Sequence, residues 1–498
     1  MKRVLSLCCA LALLLALASC GSREPEPSGS PAPEPTSAVT PTPESSPTPD
    51  PTPTPSPTPE TAVWDEDHTL DREPPELTAA GLELPVNGAT GYASVELGLW
   101  PEPQPDPTPT PAATPTPAAA PSPTPVPAVP TPAPVPTLSA TPAADTTLPA
   151  ESAPAGETEP LPPESAAPAA SPALTPPPTP SPTPSPIPTP TPTPTPAPTP
   201  TPEPTPTPDP FAGALDVLEP GEGFTILSEQ GHWWKVEAAA GVGWVDHRYC
   251  LINLPDVIPS MVYDAVNSYG AVYVSSGKEI PGVTGESFYP GAAYNPRLDR
   301  EEFMMPMLYA AAKKVCAAQH AALAQGNCLK LYEAFRPRST QLAVIDGLTA
   351  LAEEDPEVKA GITTPPWSMT YFINTGYSNH QRGFAVDVSL VKVKQTQVRT
   401  TGGREYLAVT DYIEYDMPTA IHELSMAAAS TLAPGSSTLA DTMNDPAVAL
   451  RGYFTGAGMS PLESEWWHFN DWNARNLAKD NLSTGKFEIS RCYSRPPA

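Results

Sequence analysis

Proline sets the limits of this chain: 60 of its 77 prolines fall within the first 210 of 498 residues. Proline lacks a backbone donor and fixes φ, so Thr-Pro, Ser-Pro and Ala-Pro repeats at this density propagate neither helix nor central strand. They favour extended polyproline II, which rises ~3.1 Å per residue. The remaining 288 residues carry 17 prolines, an ordinary density, and suffice for one medium domain and a small one. A globular enzyme filling the whole length is excluded. The formal net charge of −29 divides unevenly: residues 1–250 hold 29 acidic and 6 basic side chains, residues 251–498 hold 26 and 20. No basic concentration marks a nucleic-acid footprint, so no nucleic-acid partner is expected.

The first residues indicate export. Lys2 and Arg3 precede an apolar run, Val4 to Ala18, of signal-peptide length and too short to span a bilayer. Leu17-Ala-Ser-Cys20 followed by Gly21-Ser22 resembles the bacterial lipobox, which implies cleavage after residue 19 and lipidation of Cys20. An ordinary secretory peptide is the alternative. The expectation is an extracytoplasmic protein, lipid-anchored to the membrane and facing the cell wall. Residues 20–210 would then be a disordered, acidic, semi-rigid stalk. Within it, Val63 to Trp100 is less repetitive, with Trp64, Leu82, Leu84, Tyr92, Leu97 and Trp100. It is too short for a core of its own and reads as a degenerate or partner-binding segment. Four cysteines remain beyond Cys20: Cys250, Cys316, Cys328 and Cys492. Disulfides and buried thiols both fit an exported chain, and no C-x-x-C pair suggests a cysteine metal site.

From Phe211 to Asn253 short alternating runs are broken by glycine. Leu215–Leu218, Gly223–Leu227, Trp233–Val236 and Val242–Val245 read as four strands, with turns at Pro220-Gly221, Gln230-Gly231 and Gly241. Trp233-Trp-Lys-Val236 and Gly243-Trp-Val245 resemble the signature of bacterial SH3-like barrels. In that family wall peptides bind exposed aromatics; the tryptophans serve equally well to fill a tiny barrel.

Two clusters beyond residue 254 carry chemistry. In Ser378–Leu390 (SNHQRGFAVDVSL), Ala385, Asp387 and Ser389 alternate with apolar residues, so the second half reads as a strand. The bend at Gly383 can return His380 to Asp387. In Glu463–Asp471 (ESEWWHFND), Glu465 and His468 are three apart and would point the same way on a helical turn or tight bend. Catalytic zinc commonly takes three His or carboxylate ligands, and His380, Asp387 and His468 make such a set. Glu465 would act as general base toward the attacking water and return the proton to the leaving amine. Upstream, Leu329–Phe335 reads as a strand and Pro337 as a helix start, leaving Arg336 to donate to a developing oxyanion.

Tyr332-Glu-Ala-Phe-Arg-Pro337 with Gln341, Ser378-x-His380-x-x-Gly383-x-Ala385-x-Asp387, and Glu465-x-x-His468 occur in the order found in the D-alanyl-D-alanine metallopeptidases, a family of zinc dipeptidases and carboxypeptidases. The resemblance runs from about Leu251 to the C-terminus. It implies an α+β domain over 254–498 with a central antiparallel sheet and packed helices. It also implies zinc on His380, Asp387 and His468, Glu465 as base, Arg336 stabilising the transition state, and Ser378 near the substrate. Tyr415-Asp-Met-Pro-Thr419 resembles a turn of the dipeptidase branch whose aspartate, here Asp416, would hold the substrate ammonium; Pro418 departs from the family's glycine. His422 falls where the family often has a carboxylate, and reads as a surface helix histidine or an extra ligand. The expected substrates are peptidoglycan stem peptides or their fragments, cut at D-Ala-D-Ala. A catalytically inactive wall-binding lipoprotein is the rival reading.

Overall fold

The computed structural model describes residues 60–75, 83–105 and 209–497. The signal peptide, Cys20 and most of the span read as stalk lie outside the described residues. Helices and largely antiparallel sheets make this an α+β chain. No helix among the described residues is long and apolar enough to cross a membrane.

The strands expected after residue 211 form at Asp216–Leu218, Gly223–Gln230, Trp233–Ala238 and Gly241–Asp246. Along Trp233–Ala238, Trp234 and Val236 are buried while Lys235 and Glu237 face solvent, the period of two that made the run legible. Three of these strands belong to a larger antiparallel sheet in the order Pro306–Leu308, Cys250–Asn253, Thr90–Ala93, Gly223–Gln230, Trp233–Ala238, Gly241–Asp246. The expected boundaries, a stalk to 210 and a barrel over 211–253, therefore need correction. Thr90–Ala93 is a central strand, and Leu97–Leu99 pairs with Asp216–Leu218. Residues 106–208 connect two hydrogen-bonded strands of one domain. Thr90–Ala93 is buried at every position, so it offers no alternation to read. Its glycine is required by space: a Cβ on Gly91 would lie 2.3 Å from the Phe224 ring.

Other distant segments close on the same body. Ala62 N–H donates to Glu414 O at 2.8 Å, and Trp64 packs on Tyr415 with ring centres 5.4 Å apart. At the C-terminus, Tyr493 N–H donates to Thr90 Oγ1 and Arg495 N–H to Gly88 O, both at 2.9 Å. Cys250, Cys316 and Cys328 are buried thiols, and no disulfide forms among the described residues. Cys316 Sγ faces His320 Nε2 at 3.6 Å while Cys328 Sγ faces Ser260 O at 3.4 Å, so the two point to different neighbours.

The second sheet runs Ser460–Leu462, Glu465–Asn470, Ala385–Thr401, Asn327–Glu333, Val262–Tyr263, with Arg404–Glu414 added along the far half of Ala385–Thr401. Only its Val262–Tyr263 edge pairs in parallel. Helices Tyr309–Leu323 and Asp445–Gly456 pack on each other and on this sheet. Helix Arg338–Glu354 follows Pro337, which caps it rather than opening it. This helix and Pro356–Thr363 build a separate apolar cluster around Val344, Leu348, Val358 and Ile362, with Tyr273 among its buried members.

Candidate metal centre

Three neighbouring strands set one row of side chains. Antiparallel register places Asp387 opposite His468 on one side and opposite Glu333 on the other. His380 arrives from the bend before the strand. There Gly383 takes φ +80°, its N–H donates to His380 O at 3.0 Å, and a Cβ would stand 2.5 Å from Leu251 Cδ2. Glycine is the residue this turn demands. Glu465 and His468 lie on a strand, not a helical turn. They meet because Pro461 pairs with Phe469 and Leu462 with Glu465, so residues 466–468 have no counterpart on Ser460–Leu462 and the two-residue period is broken.

The ligand atoms of His380, Asp387 and His468 all lie within 4.8 Å of one another. His380 Nε2 is 3.2 Å and His468 Nδ1 is 2.9 Å from Asp387 Oδ1, and the two ring nitrogens are 3.1 Å apart. Their far nitrogens are tied: His380 Nδ1 donates to Ala334 O at 2.7 Å and His468 Nε2 to Asn470 Oδ1 at 3.0 Å. Both acceptors are oxygens without a hydrogen to give, and Asn379 Nδ2 also donates to Asn470 Oδ1 at 2.7 Å. The ring hydrogens are thus on the outer nitrogens, and two lone pairs and a carboxylate converge on one point. Such a cluster calls for a cation, and outer hydrogen bonds of this kind orient metal-binding imidazoles. These buried groups could hold a metal ion.

Electrostatics agree with that geometry. Burial disfavours a charged Asp387, but His380, His422 and His468 outweigh it and hold the carboxyl well below its usual range. Burial also works against a charged His468, yet Asp387 and Glu465 raise its pKa, whereas burial lowers that of His380. Glu465 Oε2 lies 3.5 Å from His468 Nδ1, and burial, aided by the Asp387 charge, pushes Glu465 up to about 8.

Arg336 is buried beside the row. Nε and Nη2 donate to Glu333 Oε2, Nη1 to Gln341 Oε1 at 2.9 Å, and Nη2 also to Asp387 Oδ2 at 3.2 Å. Of a guanidinium's five N–H groups, one on Nη1 is left over, and Arg336 lines the cavity. Glu333 is further held by Asn267 Nδ2 at 2.7 Å, by the Tyr273 hydroxyl at 2.9 Å and by the Tyr289 hydroxyl.

The cavity, about 150 Å³, opens over His380, Asp387 and His468 and is walled by Tyr371, Phe372, Asn374, Leu462 and Trp467. Ser378 lines it, its backbone N–H donating to Gln381 Oε1 at 2.9 Å. Asp416 does not: it is exposed and borders a separate cavity with Met417, Thr419 and Trp466. His422 is no surface helix residue. It is 1 % exposed, sits on a turn with φ +62°, stacks on Tyr273 at 4.3 Å and contacts Asp387. Its displacement of the expected carboxylate was the sole sequence signal for it. Glu333 stands within the Tyr332–Pro337 motif, which by itself gives it no role. Against protein-family models and against curated proteins the chain finds no match.

Proposed function

We propose that this chain is a D-alanyl-D-alanine metallopeptidase acting as a zinc D,D-carboxypeptidase on peptidoglycan stem peptides. What carries the reading is the buried convergence of His380, Asp387 and His468 with Glu465 at its edge. Zinc held by the three residues would supply a Lewis acid that polarises the scissile carbonyl and brings a water's pKa to about 7. Glu465, whose Oε2 lies 3.5 Å from His468 Nδ1, takes the proton of the attacking water and delivers it to the departing amine of D-alanine. The spare N–H of Arg336 donates to the oxygen on which negative charge grows. Trp467, Phe372 and Leu462 form apolar walls of the cavity.

The walls favour a longer peptide over the free dipeptide. Among the described residues lining the cavity, the carboxylates are Asp387 and Glu465, both already engaged. The free ammonium of D-Ala-D-Ala finds no counter-charge there, since Asp416 lies elsewhere. In a stem peptide that nitrogen is an uncharged amide, suited to Asn374, Ser378 and Asn379. On the same reading the first sheet is an SH3-like wall-binding part, and lipidated Cys20 holds the protein at the membrane facing the wall.

The test is D-alanine release by the purified chain from diacetyl-L-lysyl-D-alanyl-D-alanine and from free D-Ala-D-Ala. Release from the tripeptide in excess of the dipeptide is expected. Zinc binding with no release from either would point to another peptide bond, and neither zinc nor release would favour a wall-binding protein.

A further inference from the structure

We infer that His422 is a positioning residue for Asp387, fixing which carboxylate oxygen faces the metal. The two oxygens of Asp387 are used differently. Oδ1 faces His380 Nε2 and His468 Nδ1, at 3.2 and 2.9 Å. Oδ2 is turned away and receives two donors, Arg336 Nη2 and His422 Nε2, each at 3.2 Å. Because Oδ2 only accepts, the hydrogen of the His422 ring is on Nε2; its Nδ1 has no hydrogen-bond partner among the described residues. With both donors in place the carboxylate offers one oxygen to the metal. Without His422 it can turn about its last side-chain bond and offer two, occupying a position that water or substrate needs.

Glu333, Asp387 and His422 also gather within metal-binding distance of one another. A second ion is not what they hold, because the Arg336 guanidinium already sits between Glu333 and Asp387 and supplies the positive charge. The ring itself is kept in place at a cost. His422 adopts a left-handed backbone, uncommon for a residue with a side chain. It lies flat on Tyr273, interplanar angle 9°, whose hydroxyl is bonded to Glu333. Next to it, Glu423 anchors the turn by accepting the Ser276 and Gly277 N–H groups at 2.6 and 2.9 Å. A turn so fastened aims one nitrogen at one oxygen.

This inference rests on the three residues being metal ligands, and the experiment separates the two. Cobalt(II) is titrated into the full chain and into His422→Asn and His422→Gln, following visible absorption and affinity against a competing chelator. Asparagine tolerates the left-handed backbone but is too short to reach Oδ2; glutamine restores a donor at the distance of Nε2. His422→Asn is expected to bind cobalt about 10–100-fold more weakly, with an absorption band changed toward higher coordination, and His422→Gln to recover the parent spectrum. Unchanged affinity and spectrum in His422→Asn would overturn the inference, as would a His422→Gln no better than His422→Asn. A parent chain that binds no cobalt would overturn the metal reading and this inference together. Thermal unfolding without metal, compared among the three proteins, identifies any loss due to folding alone.

Discussion

His380 Nε2 and His468 Nδ1, 88 residues apart in sequence, face each other at 3.1 Å with their outer nitrogens committed to Ala334 O and Asn470 Oδ1. Two imidazole lone pairs this close repel unless a cation or a proton lies between them. Metal binding is therefore expected to stabilise the fold. Zinc at a hundredfold excess over its Kd should add about 2.7 kcal/mol, read as a rise in Tm that a chelator reverses. His380→Ala and His468→Ala should abolish that rise; a rise surviving in both would place the metal elsewhere.

Protons compete for the same point. His468 has a raised pKa, because Asp387 and Glu465 outweigh its burial, and its Nδ1 must be bare to bind metal. Affinity should be constant at alkaline pH and fall as pH drops through that raised pKa, by about tenfold per pH unit once below it. A chelator competition series over about pH 5 to 8 checks this, and a flat profile would contradict it.

Glu465→Gln keeps the shape of the carboxyl but removes the base. Zinc stoichiometry should stay at the parent value while D-alanine release falls by about 10²–10⁴-fold. Release at the parent rate would remove Glu465 from the chemistry.

A fragment starting at residue 211 should fail to fold. It lacks Thr90–Ala93 from the middle of the first sheet and loses the burial of Leu84, Val86, Tyr92, Leu97 and Leu99. At about 1.5–3 kcal/mol each, those five side chains rival the ~5–15 kcal/mol that holds a whole domain. Replacing residues 106–208 by about eight Gly/Ser residues should instead stabilise, since closing a shorter flexible loop gains roughly 2 kcal/mol. Thermal unfolding of both variants decides; a well-folded 211 fragment would mean that Thr90–Ala93 is dispensable.

The cluster of His380, Asp387 and His468 was legible because its pieces are local. Asp387 sits in an alternating strand, and a glycine bend brings His380 back across seven residues. His468 needed a partner strand 81 residues away, yet its own motif marked it. Thr90–Ala93 was illegible for the opposite reason: a strand buried on both faces has no periodicity, and its prolines and acids on either side disguised it. Asp416 borders a different cavity because a turn motif gives a residue its place in the chain, not the cavity it faces. His422 depended on a left-handed turn and a stack on Tyr273, neither of which spacing encodes.

The pairing of Leu97–Leu99 with Asp216–Leu218 has a consequence for how the molecule is made. Synthesis delivers Thr90–Ala93 first, and roughly 130 residues must follow before Gly223–Gln230 appears beside it. At ~5–20 residues per second that wait lasts roughly 6–26 s. During it that segment, buried at every position in the folded protein, has neither of its sheet neighbours, and an unpaired strand edge is where wrong partners bind. The neighbouring sequence on the late side is Thr-Pro repeat, which has no donors at its prolines and cannot zip onto such an edge. The proline tract is therefore a poor sheet partner for the early segment while its proper neighbours are still being made.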